Sequence, residues 1–263
     1  MNDPLSSNVP FDVIKVSQTE TVNLTTHIAT EVPLTFIANG SELATLMCTP
    51  ADLKVFTTGF LFTSGFITKY SDILSFDVDE TKWIVSIALS TNPEPLLMGK
   101  RLYTSGCGKG VMYASINEIS LRRPLEHGIS IKKESVLRVM KWFQTCSSLH
   151  KETGGVHTAC LSNQGEIPTQ VFDDIGRHNA VDKAIGNALM NELNLTECLL
   201  ICSGRVSSEI LFKAKRAGVS MIISLGSPTH QSVLLARNMN VTLIGFARGG
   251  SFTIFSHQER VEL

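Results

Sequence analysis

Apolar and polar positions alternate early in the chain, and the period then changes. VPLTFIANGSELATLMC (residues 32–48) is two alternating runs around Asn39-Gly40, the strongest short signal for a hairpin. TPADLKVFTTGFLFTSGFI (49–67) reads as a helix, with Thr49 as N-cap, Pro50 at the first helical position and Asp52 at the positive end of the dipole. KWIVSIALS (82–90) is a strand, and YASINEISLRRPLEHG (113–128) runs through Pro124 and Gly128 to a break in character. SIKKESVLRVMKWFQTCSSLHKETGG (130–155) follows as one amphipathic helix closed by Gly154-Gly155.

Beyond that point a regular rhythm sets in. VHTACLS and TQVFDDIG are strands joined by the turn NQGE. They are followed by helix RHNAVDKAIGNALMNEL, strand CLLICSG, helix SSEILFKAKRAG, strand VSMIISLGS, helix THQSVLLARNM and strands VTLIGFARGG and SFTIFSH. Strands alternating with helices of this length imply crossover units. The expected fold is α/β: an α+β, β-rich N-terminal domain over residues 1–128, and an α/β domain with a mixed, largely parallel sheet over residues 129–263.

Composition narrows the function classes. The 263 residues are 43% hydrophobic and 18% charged, with a net charge of −1, which suits a globular protein and not a non-specific nucleic-acid binder. The opening MNDPLSSNVPFDV lacks the basic and apolar regions of a secretory signal, and no apolar run approaches the ~18 residues of a membrane span. Six cysteines scattered through a chain of this size point to a reducing, cytoplasmic setting. Five of them, Cys48, Cys146, Cys160, Cys198 and Cys202, lie in apolar or amphipathic runs and read as packed core thiols.

Four turns after strands carry unusual chemistry. DDIGRHN holds Gly176, Arg177 and His178, and CSGRVSSE holds Ser203, Gly204, Arg205 and Ser207. LGSPTHQ holds Thr229 and His230, and GFARGGS holds Arg248, Gly249 and Gly250. Ligands of open α/β sheets bind beyond the carboxyl ends of the strands. Glycine allows close backbone approach there, helix N-termini offer unpaired N–H groups, and arginine supplies forked donors. Any single turn is explained by helix capping. Together the four predict a large, phosphate-rich ligand, with His157, His178 and His230 either binding it or packing.

Cys107 differs from the other cysteines: in TSGCGKG it sits between Gly106 and Gly108, with Lys109 two residues on. A nearby cation favours the thiolate, and the glycines leave the sulfur reachable and able to move. That suits a carrier that takes sulfur from a persulfide, and also a cysteine hydrolase using His157 or His178 as base. A phosphate loop is excluded, because Tyr103 and Gly110 stand where its first glycine and its hydroxyl residue belong. A zinc deaminase is excluded by the absence of P-C-x-x-C, and no metal ion is expected to bind the protein directly.

TSGCGKG, TGGVHTA, DIGRHNAVDKAIG, SGRVSSEI, GSPTHQSVLLA and GFARGG, in this order, resemble the formate dehydrogenase accessory sulfurtransferase family (FdhD type) from about residue 30 onward. The resemblance implies a cytoplasmic, homodimeric sulfurtransferase. It would accept persulfide sulfur from a cysteine desulfurase and pass it to the bis(molybdopterin guanine dinucleotide) molybdenum cofactor before insertion into the formate dehydrogenase apoenzyme. It also implies a three-layer C-terminal domain similar to the cytidine deaminase fold without zinc. Cys107 matches the persulfide-bearing position, and Phe246, Ala247, Arg248, Gly249, Gly250 and Ser251 match the cofactor-binding segment. Many members carry C-x-x-C in the glycine loop, whereas here Thr104 and Gly110 flank Cys107 at that distance. The other reading of the same residues is a cofactor-binding chaperone that transfers no sulfur.

Overall fold

The computed structural model describes residues 5–92, 101–103, 111–113 and 123–263. An antiparallel ribbon of β1 (Asn8–Val16) and β2 (Thr21–Ala29) comes first. The predicted hairpin follows as β3 (Val32–Ala38) and β4 (Ser41–Cys48), turning through Asn39 and Gly40, both at positive φ (47° and 79°), as a tight primed turn requires. With β5 (Ile73–Asp79) and β6 (Ile84–Leu89) they form a four-stranded sheet of order β4-β3-β6-β5, in which β6 runs parallel to β3.

Helix α1 (Leu53–Ser64) starts later than its capping pattern predicts, after Asp52 in the left-handed region at φ 55°. Thr49 is not its cap. The Thr49 backbone N–H donates to Asp174 (3.1 Å), and its hydroxyl accepts the N–H of Ile175 (3.1 Å). Tertiary hydrogen bonds in a buried place displace the local capping arrangement.

Strands β7 (Arg101–Tyr103) and β8 (Val111–Tyr113) pair antiparallel. Cys107 lies between them, outside the described residues. The long helix expected over 130–155 is interrupted. After β9 (Ile131–Lys132), α2 (Lys133–Phe143) ends, and α3 (Ser148–Thr153) begins with the Ser147 hydroxyl accepting the His150 N–H (2.8 Å). Ser147 also donates to Asp173 (2.8 Å), so the break points a polar side chain at the sheet instead of continuing the helix.

The six-stranded sheet contains β10 (His157–Asn163), β11 (Phe172–Asp174), β12 (Cys198–Cys202), β13 (Met221–Ser224), β14 (Thr242–Arg248) and β15 (Ser251–Ser256), in the order β11-β10-β12-β13-β14-β15. Helices α4 (Arg177–Met190), α5 (Ser208–Arg216) and α6 (His230–Asn238) connect β11 to β12, β12 to β13 and β13 to β14. The sheet is less parallel than predicted: of its strand pairs, only β12–β13 and β13–β14 are parallel. Hairpin connections reverse the chain on both flanks, and the crossover carrying α4 joins strands that are separated by β10. The last strand, β16 (Val261–Glu262), pairs with β9.

Alternation sorts the sheet's side chains. Leu200, Ile222 and Leu243 face the α4–α6 side, while Leu199, Ile201, Met221, Ile223 and Ile244 face α2. The first of these cores is continuous with Leu34 and Phe36 of β3 and Phe56 and Phe60 of α1, so it draws on residues from both sides of position 128. Helices α1 and α4 cross with their backbones in contact at Gly59 and Gly186. Beside the crossing, Lys213 of α5 bonds both carboxylate oxygens of buried Asp182 (2.7 Å each) and the hydroxyl of Thr63 (3.0 Å). Among the described residues no helix is long and apolar enough to cross a membrane.

Candidate functional site

The sheet brings the carboxyl ends of β11, β12, β13 and β14 to one edge, together with the amino end of antiparallel β10. Three glycines let these turns nest. A Cβ on Gly204 would lie 2.9 Å from the Cβ of Arg177 and 3.3 Å from Nδ1 of His157. On Gly226 it would meet the Arg205 N at 3.0 Å, and on Gly245 the carbonyl oxygen of Gly226 at 3.1 Å. Reciprocal hydrogen bonds join the β12–α5 and β13–α6 turns: Val206 N–H donates to Ser227 O (3.1 Å) and Thr229 N–H to Val206 O (3.0 Å). The result is a rigid ledge that presents Arg177 and Arg205.

Two histidine–serine pairs stand on this ledge. His157 Nδ1 is 3.2 Å from Ser203 Oγ, which also accepts the Thr158 N–H (3.0 Å). His178 Nε2 is 3.2 Å from both Ser207 Oγ and Glu209 Oε2. Ser207 occupies the N-cap position of α5 without using its side chain as a cap; its hydroxyl lies 3.2 Å from His178 instead. Both Ser207 and Glu209 approach the same ring nitrogen, which is not the arrangement of a catalytic triad, where base and nucleophile use opposite nitrogens.

The turn carrying Arg177 and His178 is held from below. Asp174, fully buried, accepts hydrogen bonds from Gly176 N–H (2.8 Å), Asn179 Nδ2 (2.8 Å) and Thr49 N–H, and pairs with Lys183, also at 0% exposure (2.9 Å). Asn179 Nδ2 also donates to Met47 O (2.9 Å), which ties the turn to the end of β4. Removing one partner of such a buried pair strands the other charge, at a cost of about 3–5 kcal/mol.

Burial lowers the His178 pKa to about 3, helped by Lys213 and Arg177, so the Glu209 carboxylate 3.2 Å away faces a neutral ring and the contact is not a salt bridge. His157 is also lowered, by burial first and then by Arg177. The unfolded chain protonates His178 near pH 6.5, whereas the folded chain refuses that proton until about pH 3. Its contribution is therefore fully present above about pH 6.5 and is lost as pH falls toward 3. Urea titrations at pH 6.5 and pH 5 are expected to show a loss of about 2 kcal/mol that is absent in His178→Asn. An equal loss in both chains would overturn this assignment.

The residues expected from sequence divide into three groups. Arg177, His178, Ser203, Gly204, Arg205 and Ser207 come together at the ledge, and His157 joins them. Thr229 and His230 open α6, where the Thr229 hydroxyl accepts the Ser232 N–H (3.3 Å) in ordinary capping. The Phe246–Ser251 segment is divided between two places. Phe246, at φ 53° and 44% exposed, donates its N–H to Gly226 O on the ledge (3.0 Å), whereas Ala247 to Ser251 line a groove against α2. Asp174, Asn179 and Glu209 were not singled out. The acidic pair Asp173-Asp174 before a glycine was the available signal for the first of these.

The five described cysteines are free thiols with raised pKa values. Burial pushes Cys48 to about 12 and Cys146 and Cys202 to about 11, and raises Cys160 and Cys198 as well. Among the described residues, no group of three His, Cys, Asp or Glu side chains is placed to hold a metal ion.

Fold and site define a mixed α/β protein whose strand-end ledge displays cations, neutral imidazoles and closely nested glycines. Residues 29–262 match the FdhD/NarQ family, and the chain belongs to that family. It is 38% identical to the sulfur carrier protein FdhD of Bacillus subtilis (strain 168), over 99% of both chains. It is 37% identical to the protein of the same name from Staphylococcus haemolyticus (strain JCSC1435), over 95% of both. A crystal structure described as a candidate formate dehydrogenase accessory protein from Desulfotalea psychrophila shares the fold, with TM-score 0.78 and 23% identity, over 97% of this chain and 99% of that one.

Proposed function

We propose that this chain is a sulfur carrier serving formate dehydrogenase, with Cys107 as the atom-carrying residue. The observation that carries this reading is end-to-end similarity to proteins named sulfur carrier. In the first step the Cys107 thiolate attacks the outer sulfur of a persulfide on a cysteine desulfurase. The donor's S–S bond breaks, its thiolate leaves, and Cys107 becomes the persulfide. The acceptor is the bis(molybdopterin guanine dinucleotide) cofactor, a substrate that binds before it enters the apoenzyme.

The ledge suits such a polyanion. Arg177 and Arg205 would meet phosphate, and His157, Ser203 and Ser207 would add neutral donors at no cost in charge. Phe246 to Ser251 would hold the rest of the cofactor. We place the protein in the cytoplasm as a homodimer, with a C-terminal domain similar to the cytidine deaminase fold without zinc. Incubation with a cysteine desulfurase and cysteine is expected to add one sulfur atom to the Cys107 peptide, read by mass spectrometry of the alkylated digest. Sulfur found on any other cysteine would overturn the assignment.

A further inference from the structure

We propose that Thr49, at the junction of β4 and α1, is a positioning residue for ligand binding: its hydroxyl fixes the backbone from which Arg177 and His178 reach the ledge. The proposal rests on the cofactor reading above, and it gives a task to a residue that the sequence assigns to helix capping.

Thr49 is 0% exposed, and α1 begins only at Leu53, after Asp52 as its N-cap. A buried hydroxyl needs a partner. That of Thr49 lies 126 residues along the chain, where the Ile175 N–H donates to Oγ1 (3.1 Å). The Thr49 N–H donates to Oδ2 of Asp174 (3.1 Å), and Asn179 Nδ2 donates to Met47 O (2.9 Å). Residues 47–49 therefore grip the turn before α4 at three points, Asp174, Ile175 and Asn179.

This grip takes the place of a local cap. Gly176 occupies the N-cap of α4 and has no side chain with which to fix the helix start, so the anchoring comes from outside. Two backbone N–H groups lead into Arg177. That of Ile175 goes to Thr49, and that of Gly176 goes to Oδ1 of Asp174 (2.8 Å), whose other oxygen Thr49 holds. The arginine stem lies directly on Gly204, where an added Cβ would come within 2.9 Å of Arg177 Cβ and 3.1 Å of its Cδ. Displacing the turn thus shifts the guanidinium or drives its stem into the β12–α5 turn. Without the Thr49 hydroxyl, the Ile175 N–H loses its partner and the turn moves to find another. Misplacing a binding group by about 1 Å is enough to weaken recognition.

Isothermal titration with GDP, which carries the guanine and phosphate groups of the cofactor, tests the proposal on the full chain. Thr49→Val keeps the shape and removes the hydroxyl, and it should weaken GDP binding about five- to ten-fold. Thr49→Ser keeps the hydroxyl and should bind within about two-fold of the wild type. Thr49→Ala gives the same reading as Thr49→Val if the valine chain does not fold. A merely structural role would lower the urea midpoint of Thr49→Val and leave the GDP affinity of the folded chain unchanged. That result, or a Thr49→Ser chain that binds as weakly as Thr49→Val, overturns the positioning role. If Arg205→Ala still weakens binding in that case, the cofactor reading stands. If the wild type shows no saturable binding of GDP, both fall.

Discussion

Gly186→Ala is expected to destabilise the folded chain by about 3 kcal/mol or more, against the direction that helix propensity predicts. In an exposed helix the same change would stabilise by about 1 kcal/mol. Here an added Cβ would lie 2.0 Å from the carbonyl oxygen of Val55 and 2.7 Å from the N of Gly59. The opposing Gly59 has the same problem, since its Cβ would lie 1.8 Å from the carbonyl oxygen of Asp182. All of these are backbone atoms of packed helices, so no rotamer change relieves the overlap and α1 must move away from α4. That separation would pull Thr63 from Asp182 and Lys213, leaving a buried charge pair without one of its hydrogen bonds. Urea denaturation followed by circular dichroism measures the effect. Gly154→Ala, where φ is +63° but no atom lies within 4 Å, isolates backbone strain and is expected to cost only about 1 kcal/mol. A Gly186→Ala chain within about 1 kcal/mol of the wild type would refute the close-crossing account.

Local signals that depend on neighbours in sequence were legible. Asn39-Gly40 marks its hairpin because primed turns demand positive φ, and the strand–helix rhythm after residue 155 follows from hydrophobic period alone. What sequence missed was decided across the fold. Thr49 looks like a cap until Asp174 and Ile175 claim it. Ser147 caps a new helix, and Asp173 of a neighbouring strand binds the same hydroxyl. The sheet looks more parallel than it is because period does not reveal which strands become neighbours.

The site shows the same division. Arginine, serine and glycine at strand ends announce a ledge, because that chemistry is local to each turn. Thr229 matches the pattern equally well, yet it is a helix cap, and nothing in its sequence context separates it from Ser207, whose hydroxyl turns to His178 instead. Buried Asp174 and Lys183 are nine residues apart in a string of mixed polarity, and only the packing of α4 on α1 and β11 shows that they form the base of the ledge.

Cys107→Ala is expected to abolish sulfur loading and the support of formate dehydrogenase activity, while leaving the unfolding midpoint and GDP titration unchanged. The other cysteines are poor substitutes. At pH 7 a thiol held at about 11, as Cys146 and Cys202 are, is thiolate in roughly one molecule in ten thousand. Cys48, at about 12, is a further ten-fold poorer. Cys107→Ser sharpens the experiment, because it preserves size and polarity and removes only the sulfur nucleophile. Activity restored to wild-type level by either variant would eliminate sulfur carriage and leave the cofactor-binding chaperone as the function. Loss of activity together with loss of GDP binding would instead make the residue structural. The loop sequence adds a second constraint. With Thr104 and Gly110 at the positions three away from Cys107, no neighbouring thiol can displace the persulfide within the loop and trap it as a disulfide. Loaded protein kept free of thiols and acceptor should therefore retain its extra sulfur. A loop carrying Gly110→Cys should instead release it, as the introduced thiol attacks Cys107 Sγ and closes a disulfide within the loop.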